Sequence, residues 1–296
     1  MKTIEAIELA SNHLKELKGI VFDDLSLSKP DSVDAAVNLA KIISKLSPLV
    51  GNLIEFNTIE FLNEIQEFKP LGFWKRQDPD FPDALFEGSI VPAPGFEIKA
   101  WFPLATEITA RFKDSQNHFE LDQTYVVMLA WLPEFLIYGQ PKIIDIVVVS
   151  GLSVAQARDN HYHKPPDYLV LEPEDTTART RNLQQTNTNG YKFQGTPAEF
   201  EEAKKLVDAW GESGLIYRPT QEYQDQIREL VEKYRYRLDT NFAKMDRIVH
   251  DEIEAFKARV YNSPYMGLSI DGWRRLFASI NDAKIKQGLQ RHLDIS

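Results

Sequence analysis

The sequence predicts a mixed α/β fold: a β-sheet core flanked by helices, with N-terminal helices before it and a long helical C-terminal region after it. Three observations carry that prediction. Tyr125–Trp131 and Ile143–Val149 are nearly continuous apolar runs rich in β-branched residues, as strands buried on both faces require. Two further apolar segments flank Pro92-Ala93-Pro94-Gly95, which reads as a β-hairpin. Before residue 70 and after residue 197, apolar residues recur instead at steps of three and four, the helical period.

With 296 residues and 43% hydrophobic content, the chain can bury a sizeable core. The expected division is an N-terminal helical part (1–70), a catalytic α/β core (71–171), a polar loop (172–197) and a helical C-terminal subdomain (198–296), packed as one compact unit. Cysteine is absent, which excludes disulfides, thiol nucleophiles and zinc ribbons, and leaves oxygen and histidine ligands for any metal. The start of the chain lacks the pattern of a signal peptide, and no apolar run approaches the ~18 residues of a membrane span. A cytoplasmic protein with no membrane partner is expected. The formal net charge of −10 argues against indiscriminate coating of nucleic acid, though not against a local basic surface.

In chain order, Ile4, Ile7, Leu14 and Leu17 mark a first helix. Pro30-Asp31-Ser32 starts a second, whose Val33, Ala36, Leu39, Ile43 and Leu46 face the core until Pro48. A third, from about Thr58 to Phe68, shows Glu60, Glu64 and Glu67 on roughly one face. Residues 71–83, rich in Pro, Asp and aromatics, read as an ordered loop. Strands follow at Ala84–Ile90 and Phe96–Phe102, then a helix from Ala105 to Phe112 and the two apolar strands. A helix from about Ser153 to Asn160 and a strand at Tyr168–Leu171 complete the sheet order.

Residues 172–197 differ in kind, holding Arg179, Arg181, Asn182, Gln184, Gln185 and Asn187 with almost no apolar side chain. Such side chains contact base edges and phosphates, and also populate plain surface loops. Pro197–Trp210 is amphipathic. From Thr220 to Val260 the apolar positions keep helical steps, with a bend allowed near Asp239-Thr240; this suggests a coiled-coil-like arm and a dimer contact. After Pro264, Asp271 is expected to cap a last helix bearing Trp273, Leu276, Phe277 and Ile280.

Chemistry concentrates at Pro82–Lys99. Period-two geometry puts Glu97 and Lys99 on one face of their strand, and Asp83 belongs to the same hairpin. Two carboxylates can hold a hard cation such as Mg²⁺ through oxygen, and a neighbouring ammonium can orient water or stabilise charge developing on a phosphodiester. Other candidates are weaker. His161 and His163 have a spacing seen in metal sites but suit a loop better, Asp145 is a mid-strand residue at a sheet face, and no P-loop, GxGxxG or Ser-His-Asp signature occurs.

Pro82-Asp83, the fourteen-residue step to Glu97, and Glu97-Ile98-Lys99 on the second hairpin strand resemble the PD-(D/E)XK nuclease superfamily over residues 70–171. With its polar segment and helical arm, the chain looks most like a type II restriction endonuclease. The resemblance implies a restriction-endonuclease-like core, Mg²⁺ as cofactor, double-stranded DNA as substrate and a homodimer. It also implies Asp83 and Glu97 as metal ligands and Lys99 as the catalytic lysine, with Glu60 or Glu64 as an added ligand from an earlier helix. Pro79-Asp80 is a second Pro-Asp step, so Asp80 competes with Asp83. Two alternatives stand beside this reading: a structure-specific repair or recombination nuclease of the same fold, and a non-catalytic helical scaffold in which Glu97 and Lys99 are only an ion pair.

Overall fold

The computed structural model describes residues 1–77, 81–105, 121–162, 168–172, 188–193, 195–210, 220–239, 248–293 and 295. It divides into two compact units, one formed by Met1–Ala110, Phe119–Val154 and Val249–Ser296, the other by Arg111–His118 and Ala155–Ile248.

The first unit is a three-layer α/β structure. Helix α1 (Thr3–Leu14) buries Ala6, Ile7, Ala10 and Leu14, and a 3-10 turn buries Leu17; Ile4 stays exposed. Helix α2 (Val33–Ile42) begins where Ser32 Oγ accepts from Ala35 N–H at 3.2 Å. Pro48 lies in the first turn of α3 (Ser47–Glu64), where its missing N–H costs nothing. The third helix therefore begins about ten residues before the Glu-rich stripe that marks it in the sequence.

Five strands form the main sheet in the order β1-β2-β3-β4-β5: β1 (Gly72–Arg76), β2 (Ala84–Gly88), β3 (Gly95–Trp101), β4 (Thr124–Pro133) and β5 (Pro141–Ser150). Only β3 and β4 pair in parallel; β1, β3 and β4 share a direction and β2 and β5 oppose it. β1 lies in the stretch expected to be a loop. Burial alternates only over its middle, with Trp74 buried between exposed Phe73 and Lys75, and the run is too short and too close to Pro and Asp to stand out.

Period-two alternation sends Phe96 to one face and Trp101 to the other. Phe96 joins Phe68, Trp74 and Phe86 in an aromatic cluster with ring centroids 5.1–5.6 Å apart. On the same face Gly51 of α3 approaches Ala100, where an added Cβ would sit 3.7 Å from the alanine methyl. Trp101 packs against Phe256 and Tyr261 of a later helix, Asp251–Asn262. The sheet is thus covered on both sides.

A hairpin of Pro264–Tyr265 and Leu268–Ser269 (β9, β10) turns through Met266 and Gly267, both at positive φ, as a two-residue hairpin turn requires. Helix Ile270–Ala278 is capped by Ser269, whose Oγ accepts from Gly272 N–H at 3.0 Å, and not by Asp271, which binds Arg274 and Arg275. A further helix, Asp282–His292, capped by Asn281, has no counterpart among the sequence expectations.

In the second unit, β6 (Tyr168–Glu172), β7 (Thr188–Phe193) and β8 (Tyr236–Asp239) form a separate sheet, β6/β7 parallel and β7/β8 antiparallel. The strand expected to complete the main sheet therefore belongs to another one. Helices Pro197–Ala209 and Gln221–Lys233 supply Ala203, Val207 and Leu230 to a core with Phe193 and Tyr234. The helix expected through Val260 stops at Lys233: Leu230, Tyr234 and Leu238 fit a step of four, but Tyr234-Arg235-Tyr236-Arg237-Leu238 also alternates, and a period of two divides four.

Candidate active site

β2 and β3 are in ladder register only at Ala84↔Phe96 and Leu85↔Gly95. Beyond that point β3 continues alone along its β2-side edge, and Asp83, one residue before β2, fills the gap. Its Oδ2 accepts the Ile98 N–H at 2.6 Å, taking the place of a missing strand partner, while its own carbonyl accepts from Gln77 N–H at 2.8 Å. Register puts Asp83 opposite Glu97, so Asp83, Glu97 and Lys99 share one sheet face.

The three groups meet at the Lys99 ammonium. Its Nζ lies 3.5 Å from Asp83 Oδ2 and forms an ion pair with Glu97 Oε1; the three side chains are between 11% and 19% exposed. Burial alone would lower the Lys99 pKa, but Glu97 and Asp83 outweigh it, and the group is held above its ordinary value. Lys99 is therefore an ammonium at neutral pH, a donor and a positive charge, not a base.

A third carboxylate comes from α3. Glu55 is 18% exposed and accepts from Arg76 Nε at 2.9 Å. Its pKa is raised, first by burial and then by the Asp83 charge, against the lowering effects of Arg76 and Lys99. Glu55 thus shares the electrostatic environment of Asp83 and Lys99. Glu60 and Glu64, the helix carboxylates singled out from sequence, are exposed and lie about 140° and 180° round α3 from Glu55 at ~100° per residue. The sequence signal for Glu55 is a charge beside Val50, Ile54 and Thr58, the buried stripe of its helix.

Asp145 has a different setting. It is buried, with Oδ1 2.9 Å from Lys18 Nζ and Oδ2 2.9 Å from Arg259 Nε, so each oxygen is held by a cation. Ser153 Oγ donates to Ser150 O at 2.8 Å and lies 2.9 Å from His250 Nε2. The single hydroxyl proton has two acceptors within reach, and when it goes to the carbonyl the imidazole must be the donor to Ser153, the reverse of what activating a serine requires.

Asp80 and His163 lie outside the described residues, as does the His161 side chain; so do Arg179, Arg181, Asn182, Gln184, Gln185 and Asn187. Among the described residues no group of three or more His, Asp or Glu side chains is arranged to enclose a metal ion, and no helix is long and apolar enough to cross a membrane. Asp83 and Glu97 nonetheless offer hard oxygen donors on one face, and Mg²⁺ is commonly held by one or two carboxylates completed by water and substrate phosphate. Compared with known proteins, the chain matches no family model, no curated sequence and no solved structure.

Proposed function

We propose that the chain is a Mg²⁺-dependent DNA endonuclease, acting as a homodimer in the manner of a type II restriction enzyme. The observation that carries the reading is the convergence of Asp83, Glu97 and Lys99 where β2 and β3 part, with Glu55 beside them. Asp83 and Glu97 would hold the metal, which when bound supplies a Lewis acid and a water of lowered pKa. Lys99, charged at neutral pH, donates to the attacking water or to the phosphoryl oxygens as negative charge accumulates on them. Phosphodiester hydrolysis needs these roles and no covalent intermediate. DNA as the substrate rests on the family resemblance and on the polar side chains of residues 172–197. Two copies related by a two-fold axis are the simplest way to cut both strands of a palindromic site.

Supercoiled plasmid incubated with Mg²⁺ should be cut into discrete fragments, and EDTA should stop the reaction. Lys99→Ala and Asp83→Asn should each lower the rate by roughly 10²–10³-fold or more, the scale of losing one transition-state donor. Cutting of branched DNA alone would favour a structure-specific nuclease. Equal inertness of wild type and Lys99→Ala on every DNA tried would sink the nuclease reading. Arg181→Ala should relax recognition while leaving the fold intact.

A further inference from the structure

The groups assigned to hold a metal are engaged by a cation of the protein's own. The Lys99 ammonium is 3.5 Å from Asp83 Oδ2 and ion-paired with Glu97, and all three side chains are largely buried. Asp83 is further engaged by the Ile98 N–H, and Glu55, the neighbouring carboxylate, by Arg76. A divalent ion entering between Asp83 and Glu97 has to displace an ammonium from both, in surroundings too poorly hydrated to screen the two cations from one another.

We infer that Lys99 is a tethered competitor for the metal: it closes the cation site until a phosphodiester offers the ammonium another anionic partner. The inference rests on the reading of Asp83 and Glu97 as metal ligands. DNA then draws Lys99 off the carboxylates and the metal takes its place, so DNA and metal favour each other's binding; by linkage the coupling is reciprocal. The chain alone therefore binds divalent ions weakly.

Mn²⁺ binding to the DNA-free protein at pH 8, followed by calorimetry, tests this. Lys99→Met should bind Mn²⁺ at least about tenfold more tightly than wild type, while Lys99→Arg, which keeps a cation, should stay near wild type. Asp83→Asn should abolish binding in either background. Equal or weaker binding by a folded Lys99→Met overturns the competitor role yet leaves the metal site standing, provided that Asp83→Asn still abolishes wild-type binding. Binding by neither protein, or binding indifferent to Asp83→Asn, overturns the metal site and the inference together. If Lys99→Met does not fold, the wild-type Lys99 side-chain amine resonance decides. Saturation with Mg²⁺ should move it to the position of a solvent-exposed lysine, and a resonance that Mg²⁺ leaves in place overturns the inference.

Discussion

Replacing Glu55 separates the site built by packing from the one suggested by the helix pattern. Glu55 is held by Arg76 and shares an electrostatic environment with Asp83 and Lys99, whereas Glu60 and Glu64 face away. Glu55→Gln should lower DNA cleavage by about 10–100-fold, the usual cost of losing a group that supports a metal site. Glu60→Gln and Glu64→Gln should leave the rate unchanged, and a larger loss at Glu64 than at Glu55 would refute the assignment. The asymmetry shows which parts of the site the sequence carries. Asp83, Glu97 and Lys99 are legible because strand alternation is local: residues two apart share a face wherever the strand goes. Glu55 is not, because which side of α3 meets β3 depends on docking, down to the close approach of Gly51 to Ala100. A row of glutamates at helical spacing marks a solvated face first. Asp145 is a similar case, since nothing local tells that Lys18 and Arg259 will close on it from distant segments.

Among secondary-structure elements, β1 is the edge of the main sheet, and its protection is specific. Asn63 at the end of α3 mimics a strand: its Oδ1 accepts from Trp74 N–H at 2.7 Å and its Nδ2 donates to Trp74 O at 2.9 Å. Asn63→Ala should cost about 1–3 kcal/mol through the two backbone groups left unpaired. It should also open the edge to pairing with other chains. Thermal unfolding and light scattering report both effects, and an unchanged melting temperature with no self-association would count against this role for Asn63. At the other end of the sheet, Tyr265 of the β9/β10 hairpin donates to Pro133 O at 2.8 Å. Burial, then Glu134, push its phenol well above 10. The folded state therefore holds this proton more tightly than the unfolded chain, and the resulting stability is present below pH ~10 and lost as pH rises through the raised pKa. Tyr265→Phe should cost about 1 kcal/mol at neutral pH. Above pH ~10 the variant should lose stability less steeply than wild type, which urea titrations at pH 8 and pH 11 would reveal. These elements also mark where sequence reading stops. The two long strands β4 and β5 are evident because burial over most of β4 and much of β5 leaves nearly continuous apolar runs, whereas β1 is too short to show a period. β8 hides inside a helical spacing because a four-residue step serves both geometries.

For the molecule as a whole, the order of segments matters more than their lengths. The first unit uses the chain up to Val154, is interrupted by most of the second, and resumes at Val249. Asp83, Glu97, Lys99 and Glu55 all lie before the interruption, yet the face of the sheet on which Asp83, Glu97 and Lys99 stand is covered by what comes after it. Trp101, two residues beyond Lys99, packs on Phe256 and Tyr261; Arg259 holds Asp145; and Lys286 pairs with Asp34 while Lys41 pairs with Asp282 along α2. Phe256, Val260, Trp273, Ile285 and Leu289 are nearly inaccessible to solvent. At about 1.5–3 kcal/mol for each large apolar side chain, their loss would consume most or all of the ~5–15 kcal/mol that keeps an ordinary domain folded. A chain ending at Ile248 keeps every candidate catalytic residue and should nevertheless lose the cooperative unfolding transition of the first unit, together with any DNA cleavage. Adding residues 249–296 as a separate fragment should restore both in part, since the missing contacts are non-covalent. A truncated chain that melts and cleaves like the full one would show instead that residues 1–248 build the site unaided, and that the last forty-eight residues serve something other than the sheet face on which Glu97 and Lys99 stand.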